Sequence, residues 1–147
     1  MDELFSGMSS HLFERVREQK SLAYFVRSNR IVGLDTGMFY FFAGTSPQRY
    51  SEVIEELDRE IARVQGGGVT AEELSRCQTR LKAGKRMGMQ TNSARAMQSA
   101  LNAVYGLPVN DWRTYDARID AVTLAAAQAF ARKYFQPAGR VQLVVRP

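Results

Sequence analysis

The single histidine of the chain lies in a short segment that has part of a zinc-binding motif. His11 and Glu14 have the spacing of the first histidine and the glutamate of H-x-x-E-H, but Arg15 occupies the position of the second histidine. A zinc ion is held by three protein ligands even at a catalytic site, and two side chains cannot supply them. The sequence therefore predicts that this chain binds no metal, and that His11 lies at the surface or beside a helix cap.

Other residue types that could carry out chemistry lack the partners they need. The one cysteine, Cys77, can form neither an internal disulfide nor a Cys-x-x-Cys site, and its helical surroundings predict a core residue. Glu55 and Glu56 are adjacent carboxylates that are predicted to face solvent, which disfavours acid-base catalysis. The glycines from Gly66 to Gly68 follow a helix instead of preceding one, so they form a linker and not a phosphate loop. We expect no catalytic residue in this chain alone.

The positive charge of the chain raises nucleic-acid binding as a remote alternative. The net charge is +5 and the isoelectric point is near 9.7, but the charges are mostly dispersed. No helix-turn-helix or RNA-binding signature is present, and no aromatic residues alternate with the densest basic stretch. We expect that stretch to be a solvated helical face; it comprises Arg76, Arg80, Lys82, Lys85 and Arg86.

Two runs of large apolar residues predict a β-hairpin in the first third of the chain. Leu22 to Val26 and Met38 to Phe42 are dense in aromatic and branched residues, as strands are. A loop around Gly33 to Asp35 joins them. Because the second run has five consecutive large apolar residues, it predicts a strand covered on both faces by helices.

The rest of the chain mostly has the periodicity and caps of amphipathic helices. Its 147 residues suit one globular domain, and Val141 to Val145 predict a third strand that returns to the sheet. This order predicts an α+β fold with helices packed on a mostly antiparallel sheet. Three strands are few for so much helix, so we expect further strands upstream of Met1. Helix starts are predicted at Ser9-Ser10, Ser46-Pro47, Thr70, Thr91, Asp111 and Thr123.

The most informative segment runs from Gly7 to Tyr24 and reads GMSSHLFERVREQKSLAY. It resembles the pattern G-x-S-S-x-L-F-x-x-x-R-E-x-x-x-L-A-Y of the insulinase/pitrilysin family, which includes mitochondrial processing peptidases and many bacterial two-domain relatives. The chain departs from the family at His11, where arginine is common, and at Gln19 to Ser21, where Lys-Arg-Gly is more usual. The likeness continues in order through Ala43-Gly44-Thr45, Gly68 to Leu74, Asn92 to Arg95, Tyr105-Gly106 and Ala131 to Phe135.

This resemblance implies a fold, a partner and roles for two residues. In the family, two homologous α+β domains face each other like a clamshell, and the N-terminal one carries H-x-x-E-H and a third zinc ligand. Residues 1–147 resemble the other half, a C-terminal substrate-binding domain that lacks its first strands. The resemblance implies that Arg17 and Tyr24 hold the scissile peptide and stabilise the tetrahedral oxyanion, while zinc in the partner domain activates water.

Both residue types suit that role. Arginine offers a fixed charge with several donors, and tyrosine offers one hydroxyl donor. A helix-turn-strand connection can bring Arg17 and Tyr24 onto one surface. Without the resemblance, Arg17 would be a cation that favours a helix C-terminus, and Tyr24 would be a half-buried strand residue.

Three functions remain open at this point. The chain is the substrate-binding half of a zinc endopeptidase whose catalytic half lies upstream, or a separate zinc-free subunit that pairs with an H-x-x-E-H subunit, or a structural relative without catalysis. The presence of Arg17 and Tyr24 favours the first two. The chain alone is expected to be inactive. The expected partners are an H-x-x-E-H domain and a peptide, with no nucleic acid and no membrane span. Relatives favour a bacterial periplasm over the cytoplasm.

Overall fold

A computed structural model describes residues 1–7, 10–33 and 35–145. The chain forms two compact units: unit 1 joins residues 1–70 to the chain from Leu124 onward, and unit 2 is residues 71–123. The described residues contain helices and a two-stranded antiparallel sheet, which confirms the α+β prediction. Over the same range, no helix is both long and apolar enough to cross a lipid bilayer.

The secondary structure follows the chain in an order close to the predicted one. The elements are α1 (Asp2–Phe5), α2 (His11–Phe13) continued by a π-helix (Glu14–Gln19), β1 (Phe25–Val32), β2 (Gly37–Gly44), α3 (Tyr50–Gln65), α4 (Ala71–Gly88), α5 (Asn92–Val104), a 3-10 helix (Asp111–Thr114), α6 (Tyr115–Asp120), α7 (Leu124–Tyr134) and a 3-10 turn (Pro137–Gly139). Ser10 caps α2 by accepting a hydrogen bond from the Phe13 amide at 3.2 Å. The other predicted cap, Ser9, lies outside the described residues.

The hairpin is confirmed, but its first strand begins at Phe25 and extends to Val32 instead of running from Leu22 to Val26. Its two faces differ. β1 pairs with β2 in antiparallel register, with Phe25 opposite Gly44 and Val32 opposite Gly37; Leu34, in the predicted loop, lies outside the described residues. Because side chains alternate along a strand, Phe39 and Phe41 point to one face and Tyr40 and Phe42 to the other. The first pair packs against Phe5 and Phe135, whereas Phe42 is 39% exposed. The prediction that helices cover both faces of this strand is therefore wrong.

An aromatic cluster forms part of the core of unit 1. Phe5 is fully buried, and its ring centre lies 5.0 Å from that of Phe41 and 5.8 Å from that of Phe135 in edge-to-face geometry. The remaining fully buried large side chains are aliphatic: Leu12, Val16, Val26 and Val64. This core holds α1, the hairpin, α3 and α7 together around the helix that precedes β1.

Two predicted helix boundaries had different outcomes. The predicted start of α3 at Ser46-Pro47 is wrong, because a turn occupies this stretch and α3 begins at Tyr50. The predicted helix start at Thr91 is confirmed: α4 ends at Gly88, and the Thr91 hydroxyl caps α5 by accepting from the Ala94 amide at 3.1 Å. A separate prediction, that Cys77 belongs to the core, is wrong. Cys77 is half-buried, and no side chain of α4 is fully buried.

The predicted third strand, Val141 to Val145, is a further correction. This segment has no regular secondary structure, and Val141, Leu143 and Val145 are 93%, 85% and 85% exposed. A strand needs a neighbour to pair its amide and carbonyl groups. In the described part of the chain the sheet consists of β1 and β2 alone, and neither pairs with this segment.

Candidate functional site

The helix that carries Arg17 ends in a widened, left-handed turn. The Lys20 amide donates to the Arg15 carbonyl at 3.2 Å, five residues back, and the Leu22 amide donates to Val16 at 2.7 Å. Ser21 adopts φ +48°, a conformation that residues with a Cβ seldom adopt. π-Helical turns of this kind are frequent at functional sites. Here the turn reverses the chain within a few residues and directs it into β1.

Side chains from the β2–α3 connection fix this turn. The Arg49 guanidinium donates to the carbonyl oxygens of Ser21 at 2.9 Å and Lys20 at 3.2 Å. The Thr45 hydroxyl donates to the Leu22 carbonyl at 2.5 Å, and the Tyr24 amide donates to the Gly44 carbonyl at 2.9 Å. The segment between Arg17 and Tyr24 is therefore held at several consecutive carbonyl and amide groups.

The two residues predicted to bind substrate lie side by side in an open cleft of about 810 Å³. The Cζ atom of Arg17 is 5.7 Å from the ring centre of Tyr24 and 5.1 Å from that of Phe13. Tyr24 is 80% exposed and precedes β1, so it is not the half-buried strand residue expected without the family resemblance. The structure brings the predicted pair together.

The charge of Arg17 is not neutralised in the described structure. Cation–π contacts with Tyr24 and Phe13 are each worth about 0.5–1 kcal/mol at exposed sites, which orients the guanidinium without cancelling its charge. Among residues 1–7, 10–33 and 35–145, neither a carboxylate nor a carbonyl accepts a hydrogen bond from this guanidinium, and the Tyr24 hydroxyl has no partner. The cleft thus presents a fixed cation and a phenol donor to solvent.

Glu56, on α3, anchors the helix that carries Arg17, a feature that the sequence did not predict. Its side chain is 4% exposed and accepts from Arg15 Nε at 3.1 Å, from Lys20 Nζ at 2.5 Å and from Arg59. Burial raises the pKa of Glu56, but the hydrogen bonds from Lys20, Arg59 and Arg15 outweigh burial and lower it to about 2. The prediction that Glu55 and Glu56 both face solvent is wrong for Glu56.

Residues 2–81 match the family model of the peptidase M16 inactive domain. The chain belongs to this family. An uncharacterized zinc protease of Streptomyces coelicolor is 33% identical over 132 residues, which are 88% of this chain and 28% of that protein. The zinc protease YmxG of Bacillus subtilis is 27% identical over 135 residues, which are 90% of this chain and 32% of that protein. The M16 chain thus spans about a third of the length of these relatives.

Solved structures show the same fold. The peptidase M16 inactive domain from Pseudomonas fluorescens superposes with a TM-score of 0.78 at 19% identity, covering 90% of this chain and 32% of that one. A protease from Helicobacter pylori gives a TM-score of 0.76 at 20% identity, covering 90% and 32%. The resemblance to insulinase/pitrilysin-type zinc peptidases is confirmed at the level of the family and of the inactive domain.

The residues of this M16 domain do not form a zinc site in the described ranges. No three His, Cys, Asp or Glu side chains there converge on a point that could hold a metal ion. His11 is the first residue of α2, and its Nδ1 lies 2.6 Å from Oε2 of the buried Glu60, which also accepts from Arg63. The histidine thus belongs to the set of polar contacts that join α2 and its π-helical continuation to α3.

Proposed function

We propose that this M16 domain is the substrate-binding half of a zinc endopeptidase and that Arg17 and Tyr24 contact the scissile peptide. The observation that carries the proposal is their shared cleft, in which an unpaired guanidinium lies beside an exposed phenol. Peptide hydrolysis places negative charge on the carbonyl oxygen in the transition state. Donors held in advance at that position stabilise the charge without having to reorganise.

The rigid turn supports this role. An oxyanion donor is effective only when its position is fixed to within a fraction of an ångström. The bonds from Arg49 and Thr45 restrain the backbone between the two residues, while the Glu56 ion pairs hold the preceding helix on α3. Arg17 and Tyr24 are therefore presented from a supported segment and not from a free loop.

The zinc ion and the general base belong, in this proposal, to a separate H-x-x-E-H domain. That domain lies either elsewhere in the same polypeptide or in a second subunit, which agrees with the chain spanning about a third of its relatives. We also propose that strands outside this chain pair with Val141 to Val145, because this exposed apolar segment has the composition of a strand.

The test is hydrolysis of a quenched fluorescent peptide by this domain together with its H-x-x-E-H half, with and without a zinc chelator. We expect activity in the mixture alone and its loss with chelator. Tyr24→Phe and Arg17→Gln should each lower kcat on the order of 100-fold, with a smaller change in KM. Matched controls are Tyr134→Phe and Arg27→Gln, which remove the same groups from exposed positions outside the cleft.

An inert mixture in which zinc is bound and both halves are folded would leave the structural relative as the function. Equal losses in the cleft variants and their controls would show that Arg17 and Tyr24 have no special role. Activity of the isolated domain would overturn the proposal that the catalytic groups lie elsewhere.

A further inference from the structure

A second cleft lies within unit 2, where the end of α4, the start of α5 and the 3-10 helix before α6 meet. Its volume is about 410 Å³. Basic side chains dominate its walls, with an indole and a thioether between them. The side chains that matter are Lys85, Arg86, Arg95, Arg113, Trp112 and Met89.

Most of the positive charge in this cleft is not balanced. The one carboxylate, Asp116, lies 2.6 Å from Arg86 and neutralises it. Lys85 Nζ instead donates to the Gln98 side-chain oxygen at 2.8 Å, and Arg95 Nε donates to the Met89 carbonyl at 2.9 Å. Both acceptors are neutral. In the described residues no carboxylate pairs with the lysine or with Arg95.

Aromatic rings orient Lys85 and Arg113 through cation–π contacts without neutralising their charge. The Arg113 guanidinium carbon is 5.4 Å from the Trp112 ring centre, and Lys85 Nζ is 5.5 Å from that of Tyr115. Arg113, like Lys85, has no carboxylate partner within the described ranges. Met89, which also lines the cleft, is buried, and the half-buried Trp112 gives the cleft an apolar wall. Three uncompensated cations thus surround a partly apolar cavity.

We propose that this cleft binds an acidic segment of a peptide. Guanidinium groups bind carboxylates with charge-assisted and often bidentate hydrogen bonds, while Trp112 and Met89 suit an apolar side chain next to the acidic one. A surface for single-stranded nucleic acid instead needs a groove that follows the backbone and several stacking rings. The choice of a peptide rests on the proposed function, whereas binding to unit 2 requires neither zinc nor catalysis.

The test is fluorescence anisotropy with the full chain and a short labelled peptide in which glutamates alternate with leucines. The same peptide with every glutamate replaced by glutamine is the ligand control. We expect the glutamate peptide to bind more tightly and to lose affinity as salt rises. Arg113→Gln, which removes no side-chain hydrogen bond among the described residues, should weaken binding about fivefold, and Arg95→Gln together with Arg113→Gln on the order of twentyfold.

A matched variant distinguishes binding of the peptide in the cleft from nonspecific electrostatic attraction to unit 2. Arg76→Gln and Arg118→Gln together remove the same net charge from unit 2 outside the cleft, and they should leave the affinity within about twofold of the native chain. Equal weakening by both double variants would overturn the proposal, as would equal binding of the two peptides. If a single-stranded oligonucleotide bound more tightly than the glutamate peptide and lost this affinity in the cleft variants, the ligand of the cleft would be nucleic acid and not a peptide. Binding of the glutamate peptide would stand even if the paired enzyme were inert.

Discussion

Replacing Glu56 with glutamine tests whether buried ion pairs hold the helix of Arg17 on α3. The substitution keeps the size of the side chain and removes its charge. It leaves Arg15, Lys20 and Arg59 without the carboxylate on which they converge. Since the first two belong to the helix and the turn after it, the anchor of the candidate site is weakened directly.

The pKa of Glu56 gives the size of the effect. A pKa of about 2 in the folded chain, against 4.5 for a free glutamate, corresponds to about 3 kcal/mol of stabilisation at neutral pH. The three cations are 32%, 42% and 53% exposed, so they can turn to water when the carboxylate is lost. We therefore expect Glu56→Gln to lower the free energy of unfolding by about 2 kcal/mol, or the melting temperature by roughly 4–8 °C.

The stabilisation by Glu56 should depend on pH in a defined direction. Because the folded pKa lies below the unfolded one, the stabilisation is complete above pH 4.5 and is lost as the pH falls towards 2. Urea unfolding followed by circular dichroism should show the native chain and the variant converging over that interval. Glu55→Gln is the matched control, since Glu55 is the exposed neighbour on the same helix. Equal destabilisation by the two variants, or a difference that persists at pH 2, would refute the reasoning.

Three further substitutions test the turn and its support. Ser21→Gly should raise the free energy of unfolding by about 0.5–1 kcal/mol, because relief of the left-handed backbone exceeds the extra entropy of glycine; chemical denaturation measures it. Arg49→Met should destabilise by about 1–2 kcal/mol through the loss of two bonds to carbonyls, and should slow the paired enzyme more than Arg27→Met does. Gly44→Ala should lower stability by about 1–3 kcal/mol in a thermal melt, because the new Cβ would lie 2.5 Å from the Phe25 ring.

Local signals in the sequence predicted the features that local interactions determine. The hairpin followed from two apolar runs joined by a glycine-containing loop, and the Thr91 cap followed from a hydroxyl placed before a new helical period. The pairing of Arg17 with Tyr24 came from the family resemblance, since spacing alone does not specify how a helix end turns. The left-handed Ser21 that brings them together has no signature of its own, because glycine is the usual residue for such a backbone.

Long-range features were beyond sequence reasoning. Glu56 looks like an ordinary helical carboxylate until the helix of Arg15 and Lys20 is packed over it. Trp112 and the basic end of α4 are distant in sequence, so sequence reasoning predicts a solvated face there and does not reveal the aromatic neighbour. Val141 to Val145 has the composition of a strand, but pairing depends on a neighbour that the described chain does not provide.

The discontinuity of unit 1 sets an order of assembly during translation. Phe135 follows Phe5 by 130 residues and completes the aromatic cluster around it, and the Phe135 carbonyl accepts from Gln65 Nε2 at 2.7 Å. A ribosome-bound chain that has not yet reached Phe135 therefore leaves Phe5 and the inner face of β2 without part of their cover. Residues 71–123, which form the continuous unit 2, are all synthesised before Phe135. The segment that ends at Phe135 completes the core around Phe5, so this hydrophobic surface is exposed to chaperones and proteases until Phe135 has been synthesised.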